Sequence, residues 1–273
     1  MLLSKLLGER HLHANRYLQC PGTGRIPAEE SRKKIDRPGS EKNIAHFTGV
    51  FSELGCDVLG LEEGVAAATM RKIAHGLDRH LATFPSPIAW PGHVLSRYPV
   101  IESRVFSHTV PGEAVPPFSR TAGAALLQID ARTSLWFVVL HLHPGDVELR
   151  KVEADIIRDR LGELMKITEN AIVVGDLNCE IEERLHHNLK GLQFANAMET
   201  VGGGIQLTVD TVGIRPHSID HIYVSASIAG RLRSAEVVRR SGFRHDGPQV
   251  EGAFVHSDHL PVIADLDWPP SAA

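Results

Sequence analysis

The sequence is short of the residues that would staple it or anchor it. Cysteine occurs three times in 273 residues, at Cys20, Cys56 and Cys179. A scattered, odd set without metal-ligand spacing excludes a disulfide framework and a structural zinc site. It points to reduced thiols in a cytoplasmic protein. Long hydrophobic runs are also missing. The opening Met1-Leu-Leu-Ser-Lys-Leu-Leu is too short for a signal peptide and is interrupted by Lys5, Glu9 and Arg10. No run approaches the roughly 20 residues that a membrane span requires. Positive charge is not in excess, with 29 Lys and Arg against 33 Asp and Glu, a net charge of −4. A chain that coats long nucleic acid carries a basic surplus, so that class is disfavoured. Aromatic residues make up only 5% of the chain, which leaves few wedges or platforms for bases. There is no repeat, low-complexity tract or linker, and one domain over residues 1–273, monomeric, is expected.

Apolar residues reach 42%, enough for a sizeable core. Helical spacing of Ile44, Phe47, Val50, Phe51 and Leu54 predicts a helix from Asn43 that Gly55 ends. Further helices are expected over 66–77 and 147–167, the latter with Val152, Ile156, Leu161 and Leu164 on one face. Strands are expected over 57–62, 93–96, 100–106, 122–129, 135–142, 171–175, 219–224 and 260–266. Loops are expected over 21–40 and 111–117, with a frayed tail from Pro269. Many strands with few helices depart from strict βαβ repetition and suggest two sheets packed on each other with helices outside.

Five segments carry chemistry. Leu59-Gly-Leu-Glu-Glu, Phe137-Val-Val-Leu-His-Leu-His and Ile172-Val-Val-Gly-Asp-Leu-Asn are apolar strands ending in polar groups. Ser218-Ile-Asp-His and Val255-His-Ser-Asp-His each lead into a strand. One polar strand end is ordinary turn composition. Five in one chain point to a shared site, because ionisable groups at the mouths of buried strands are costly unless they converge on water, metal or substrate. Asp176 and Asn178 obey a period of two and should share a side. A carboxylate can orient or deprotonate a water there, and an amide can donate to a phosphoryl oxygen. Oxygen ligands such as Glu63 and Asp258, with little cysteine, favour Mg²⁺, Mn²⁺ or Ca²⁺.

In order, His13-Ala-Asn-Arg, Asp57-Val-Leu-Gly-Leu-Glu-Glu, Gly92-His-Val-Leu-Ser-Arg-Tyr-Pro, Val138-Val-Leu-His-Leu, Gly175-Asp-Leu-Asn, Ile219-Asp-His-Ile-Tyr-Val-Ser and Ser257-Asp-His-Leu-Pro-Val resemble the endonuclease/exonuclease/phosphatase superfamily. The resemblance implies a DNase I-like four-layer α/β sandwich, with two mixed sheets face to face and helices outside. It implies metal ligation by Glu63, Asn15 and Asp258, with Mg²⁺ or Mn²⁺ as cofactor. Glu62 stands where that family usually has glutamine. His141 resembles the histidine that contacts the phosphate. Asp176 and Asn178 resemble the water-orienting carboxylate and the phosphate-binding amide. His259 resembles a second histidine, with Asp220 holding its ring. Arg120 opens the strand before His141, where the family often has a phosphate-clamping arginine; a surface arginine is the equal alternative. His143 is a weaker candidate for substrate contact, with an exposed loop position as the alternative. Thr208 sits where many members have threonine, although a plain strand former fits as well.

Three functions remain: hydrolysis of a small or lipid-linked phosphate ester, cleavage of DNA or RNA, and an inactive scaffold of the same fold. So many buried charges disfavour the scaffold. The late cluster Arg231, Arg233, Arg239, Arg240 and Arg244 could line a nucleic-acid groove. A solvated face is the simpler reading, and the small phosphate ester is preferred.

Overall fold

A helix forms where capping and periodicity agree. The computed structural model describes residues 12–14, 39–64, 66–88, 90–107, 118–210, 215–239, 243 and 256–267. Asn15, Cys20, Arg240, Arg244, the loops at 21–38 and 111–117 and the tail from 269 lie outside them. Helix α1 (Glu41–Leu54) starts at Ser40, whose hydroxyl accepts from the Asn43 amide, and ends at Gly55 with φ 69°. That left-handed angle is why glycine stands there. Helix α2 is Ala67–Gly76. Helix α3 (Val147–Leu164) is capped by Asp146, which accepts from the Leu149 amide. Short helices α4 (Arg184–Gly191), α5 (Ala197–Val201) and α6 (Ala226–Ala229) are the others among the described residues.

The strands are β1 (Leu12–Ala14), β2 (Val58–Leu61), β3 (His80–Phe84), β4 (Gly92–Ser96), β5 (Val100–Val105), β6 (Ala122–Gln128), β7 (Ser134–His141), β8 (Ala171–Asp176), β9 (Ala195–Asn196), β10 (Asp220–Val224), β11 (Leu232–Val237) and β12 (Val262–Leu266). They form two six-stranded mixed sheets, in the orders β11-β12-β1-β2-β4-β3 and β5-β6-β7-β8-β10-β9. Each sheet has one parallel pair, β1 with β2 and β7 with β8, among antiparallel neighbours. The α/β sandwich expected from the motifs is the observed fold.

The alternation of β7 divides the molecule. Leu135, Phe137 and Val139 join the core with Ile172, Val174 and Ile222 of the same sheet and with Val58 and Val94 of the facing one. Trp136, Val138 and Leu140 join a second core beneath α3 and α4, with Ala154, Ile157, Leu161 and Leu185. Gly60 allows the sheets to approach: a Cβ there would lie 2.6 Å from Val174 Cγ2 and 3.3 Å from Phe137 and Val139. Residues of β2 two positions apart from Gly60 therefore face the other sheet.

Two expectations about elements need correction. The buried stripe of α3 is Arg150, Glu153, Ala154, Ile157, Leu161 and Leu164. Val152 is 48% exposed, because the positions 150, 154, 157, 161 and 164 keep helical spacing and Val152 falls off that face. Strands β3, β9 and β11 and helices α4 to α6 were not expected. Strands β3 and β11 lie at sheet edges, and exposed positions break their apolar pattern.

Candidate active site

Three adjacent strand ends bring the motif residues together. In the parallel pairing of β7 and β8, His141 lies opposite Asp176. In the antiparallel pairing of β8 and β10, Asp220 lies opposite Asp176. His141, Asp176 and Asp220 thus stand side by side at one rim. His259 bridges to Val209 just before β12, and its ring reaches Asp220. Asp176, Asp220 and His259 each present a ligating atom within 4.8 Å of the others. From the opposite sheet, Glu63 comes to 3.9 Å from His141 Nε2. The backbone at Glu63 is left-handed, φ 48°, so the chain turns sharply after β2.

The hydrogen bonds fix each ring and carboxylate. His259 Nδ1 lies 3.0 Å from both Asp220 oxygens, and its Nε2 is 4.0 Å from Asp176 Oδ2. The Ser257 hydroxyl accepts from the His259 amide. Thr208 Oγ1 accepts from the amides of Ile219 and Asp220, which gives this threonine a specific task in holding Asp220. Asn178 donates through its backbone N–H to Asp176 Oδ1 at 3.0 Å, and through Nδ2 to Asp176 Oδ2 at 3.2 Å and to the Leu142 carbonyl. The expectation that Asp176 and Asn178 share a side holds, though for another reason. Strand β8 ends at Asp176, and a left-handed Asn178, φ 49°, folds its amide back. His141 Nε2 faces Asp176 Oδ2 at 3.5 Å, while its Nδ1 is enclosed without a hydrogen-bond partner among the described residues.

Burial sets the protonation. It holds His141 well below the ordinary imidazole range, helped by the nearby Arg120 and His259. Burial alone would also lower His259, but the Asp220 and Asp176 carboxylates outweigh it and hold that ring well above its usual value. Burial raises the Asp176 carboxyl to about 8 against the pull of His259, and Asp220 adds to the rise. Burial likewise raises Glu63, opposed by His259 and Arg120.

Arg120 stands at the same rim. Its guanidinium lies 4.1 Å over the Trp90 ring, with Glu63, Asp176 and Glu153 as electrostatic neighbours. It makes no hydrogen bond or ion pair with the described residues. Trp90 was not foreseen. Its ring runs parallel to His141, 3° between planes and 6.4 Å between centroids, and Thr121 Oγ1 ties its carbonyl to the start of β6. A lone loop aromatic carries no sequence pattern that would have found it. Asp258 is half-buried beside His259, and its charge reaches Glu63. The contacts of His143 are with Glu153 and with the turn into α3, where its Nδ1 accepts from the Gly145 and Asp146 amides. Asn15 lies outside the described residues.

The sequence model of the Endonuclease/Exonuclease/phosphatase family matches residues 35–259. The chain belongs to that family. No curated protein sequence matches the chain. Among solved structures, an endonuclease/exonuclease/phosphatase family protein of Bacteroides thetaiotaomicron aligns with TM-score 0.68 at 15% identity, covering 95% of this chain and 98% of the other. The mannosyl-6-phosphatase of the same organism aligns with TM-score 0.67 at 16% identity, covering 93% and 99%. The 3′ phosphatase NExo from Neisseria, bound to a product DNA hairpin, aligns with TM-score 0.62 at 15% identity, covering 84% and 95%. At such identities the likeness shows the shared fold alone. Members of the endonuclease/exonuclease/phosphatase family are hydrolases of phosphate esters. Cys56 and Cys179 are buried thiols. Among the described residues, no helix is long and apolar enough to cross a membrane.

Proposed function

We propose that the protein hydrolyses the phosphate ester of a small or lipid-linked molecule, with a divalent cation and an activated water. The observation that carries the reading is the linked chain Asp220–His259–Asp176–His141 at one rim, faced by Glu63 from the opposite sheet. Buried charge of this density has no structural purpose and would be selected against in a scaffold.

The residues present fit a cation. Glu63 is a half-buried carboxylate whose nearest partner is a neutral histidine at 3.9 Å, and Asp258 lies in its field. Glu63 and Asp258 would hold Mg²⁺ or Mn²⁺, with Asn15 as the further ligand that the family resemblance implies. When bound, such an ion neutralises a phosphoryl oxygen and the charge that develops on it.

The chain's own groups do the rest. Asp176, gripped by two donors from Asn178, aims its carboxylate at a water. A carboxylate with that proton affinity is a base matched to neutral pH. Both Nδ2 protons of Asn178 go to Asp176 and to the Leu142 carbonyl, so its task is to hold Asp176 rather than to meet the phosphate. Asp220 orients His259 and keeps it cationic, so the ring opposes the negative charge of the transition state. Neutral His141 offers Nε2 as a hydrogen-bonding group. Arg120, with all its donors free of the described residues, is suited to clamp the phosphate. His143 lies two residues beyond His141, with its Nδ1 taken by the Gly145 and Asp146 amides.

The small-substrate reading is favoured by the fate of the basic residues. Arg233 pairs with Asp267, and Arg239 pairs with Asp210. Each is engaged by a carboxylate within the described residues. The test is a substrate panel with Mg²⁺ and Mn²⁺: p-nitrophenyl phosphate, bis-p-nitrophenyl phosphate, sugar and inositol phosphates, sphingomyelin, plasmid DNA and RNA. Turnover of a small ester that Asp176→Asn and His259→Ala abolish, with circular dichroism unchanged, is expected. Plasmid nicking at low enzyme, abolished by Asp176→Asn, would establish the nuclease instead.

A further inference from the structure

Helix α3 turns two charged residues inward, and the mechanism above uses neither. Glu153 is fully buried and Arg150 is 6% exposed. Glu153 Oε2 accepts from the His143 amide at 3.2 Å, and Arg150 Nη1 donates to the His143 carbonyl at 2.9 Å. The residue two beyond His141 is thus held on both sides. Arg150 also makes a two-point contact with Glu183, each bond 2.8 Å. The other oxygen of the inner carboxylate, Glu153 Oε1, accepts from the Ser119 amide at 3.0 Å and from the Ser119 hydroxyl at 3.2 Å. Burial raises this carboxyl, and the donors of Ser119 and His143 pull it back. A buried charge is tolerated when its lone pairs are served in this way.

Ser119 directly precedes Arg120, and the chain around that arginine is pinned at each neighbouring residue. Phe118 enters the core beneath α3. Ser119 hangs on Glu153. Thr121 donates through Oγ1 to the Trp90 carbonyl, and its own carbonyl accepts from the His141 amide at 2.7 Å. Between these anchors, the Arg120 guanidinium lies over Trp90 with Glu153 among its electrostatic neighbours. A side chain with unspent donors on a fixed backbone has less freedom to lose when it meets a phosphate. Glutamine at 153 would offer one acceptor oxygen and turn an N–H toward one of the two amides. A carboxylate alone serves both.

We propose that Glu153 is a positioning residue: it sets the backbone of Arg120, so that phosphate binding at the rim depends on a carboxylate buried under α3. This rests on the reading of Arg120 as the phosphate clamp.

A double-mutant cycle on the full chain with Mg²⁺ tests it. The readouts are kcat/KM for a small ester and the Kd of inorganic phosphate by calorimetry. Glu153→Gln, nearly isosteric, should weaken phosphate and lower kcat/KM roughly three- to tenfold on its own, and less than about 1.5-fold when Arg120→Ala is already present. A merely structural role would lower kcat/KM by the same factor in both backgrounds, through loss of folded protein, and leave the phosphate Kd unmoved. That result overturns the inference. Ser119→Ala removes one donor only and should weaken phosphate about twofold, again not in the Arg120→Ala background. It decides the matter if Glu153→Gln folds poorly, and an unchanged Kd in Ser119→Ala would then count against Glu153. Arg120→Ala without effect on phosphate would remove the clamp and this inference while the phosphoesterase reading stands. A wild type that neither binds phosphate nor turns over an ester would remove both.

Discussion

Arg120 lies across the Trp90 ring and yet gives none of its donors to the described residues. A cation over an indole at a half-exposed site gains about 0.5–1 kcal/mol. The contact holds the guanidinium plane in place before any phosphate arrives. Trp90→Ala should lower kcat/KM roughly two- to fivefold, mainly through KM, and Trp90→Phe should restore most of it. Arg120→Ala should cost more, roughly ten- to a hundredfold, since charged hydrogen bonds to phosphate are each worth about 1.5–3 kcal/mol. Steady-state kinetics on a small ester would check both. Equal effects of the two alanine variants would argue that Trp90 does more than steady the arginine. Thr208 gives a second prediction of this kind. Its hydroxyl serves the amides of Ile219 and Asp220 in a buried place. Thr208→Val should destabilise the fold by about 1–3 kcal/mol in urea denaturation, because two buried donors are left unpaired. It should also reduce kcat, since Asp220 then holds His259 less firmly. Sequence reading could not choose between this task and a plain strand former, because the hydroxyl's partners lie 11 and 12 positions away.

Packing of α3 against β7 and β8 shows where pattern reading erred. The expected stripe included Val152 and Ile156, but Ile157, Leu161 and Leu164 are the buried positions. Arg150 and Glu153 occupy part of the inward face, so the apolar signal was diluted by residues that are buried and charged. Ile157→Ala should cost about 2–5 kcal/mol and Val152→Ala less than about 0.5 kcal/mol, measured as unfolding free energy. The interface of α4 with β10 holds a polar pair. His186 Nδ1 faces the Tyr223 hydroxyl and its Nε2 faces the Cys179 carbonyl. His221 Nε2 faces the Ser218 carbonyl, and Asn196 Nδ2 faces its Nδ1. With one nitrogen on a carbonyl and the other on a donor, each ring is satisfied as the neutral form. Burial holds His221 down to about 3, and His186 is lowered as well. The unfolded chain therefore binds these protons first. Their contribution is complete above about pH 6.5 and is lost as pH falls toward 3. The difference in stability between wild type and His221→Gln should shrink on acidification, by up to about 1.4 kcal/mol per pH unit. A difference that stays constant from pH 7 to pH 4 would show that His221 titrates normally.

At the scale of the molecule, the strands that build the sandwich centre were legible because they are continuous apolar runs ending in unusual polar residues. The same feature made His141, Asp176, Asp220 and His259 legible, since chemistry sits at strand ends in this fold. Edge strands such as β3 and β11 were not, because half of each faces solvent and reads like loop. Trp90 was not, because a single loop aromatic between strands carries no pattern of its own. The late arginines were read as a solvated surface; Arg233 and Arg239 pair with carboxylates, Arg239 in a largely enclosed place, and Arg240 and Arg244 lie outside the described residues. That pairing bears on the substrate. Binding to nucleic acid releases counterions, and affinity falls with salt as about the 0.9 power for each phosphate contacted. A site that engages one phosphate through Arg120, His259 and a cation contacts one or two charges. Raising salt fourfold should then reduce kcat/KM by roughly three- to twelvefold, whereas a track over six phosphates would lose about three orders of magnitude. Measuring kcat/KM for the best panel substrate between 50 and 200 mM salt (about a fourfold range) would separate the two. A steep loss would mean that paired arginines exchange their carboxylates for phosphates along a polymer, and the small-ester reading would fall.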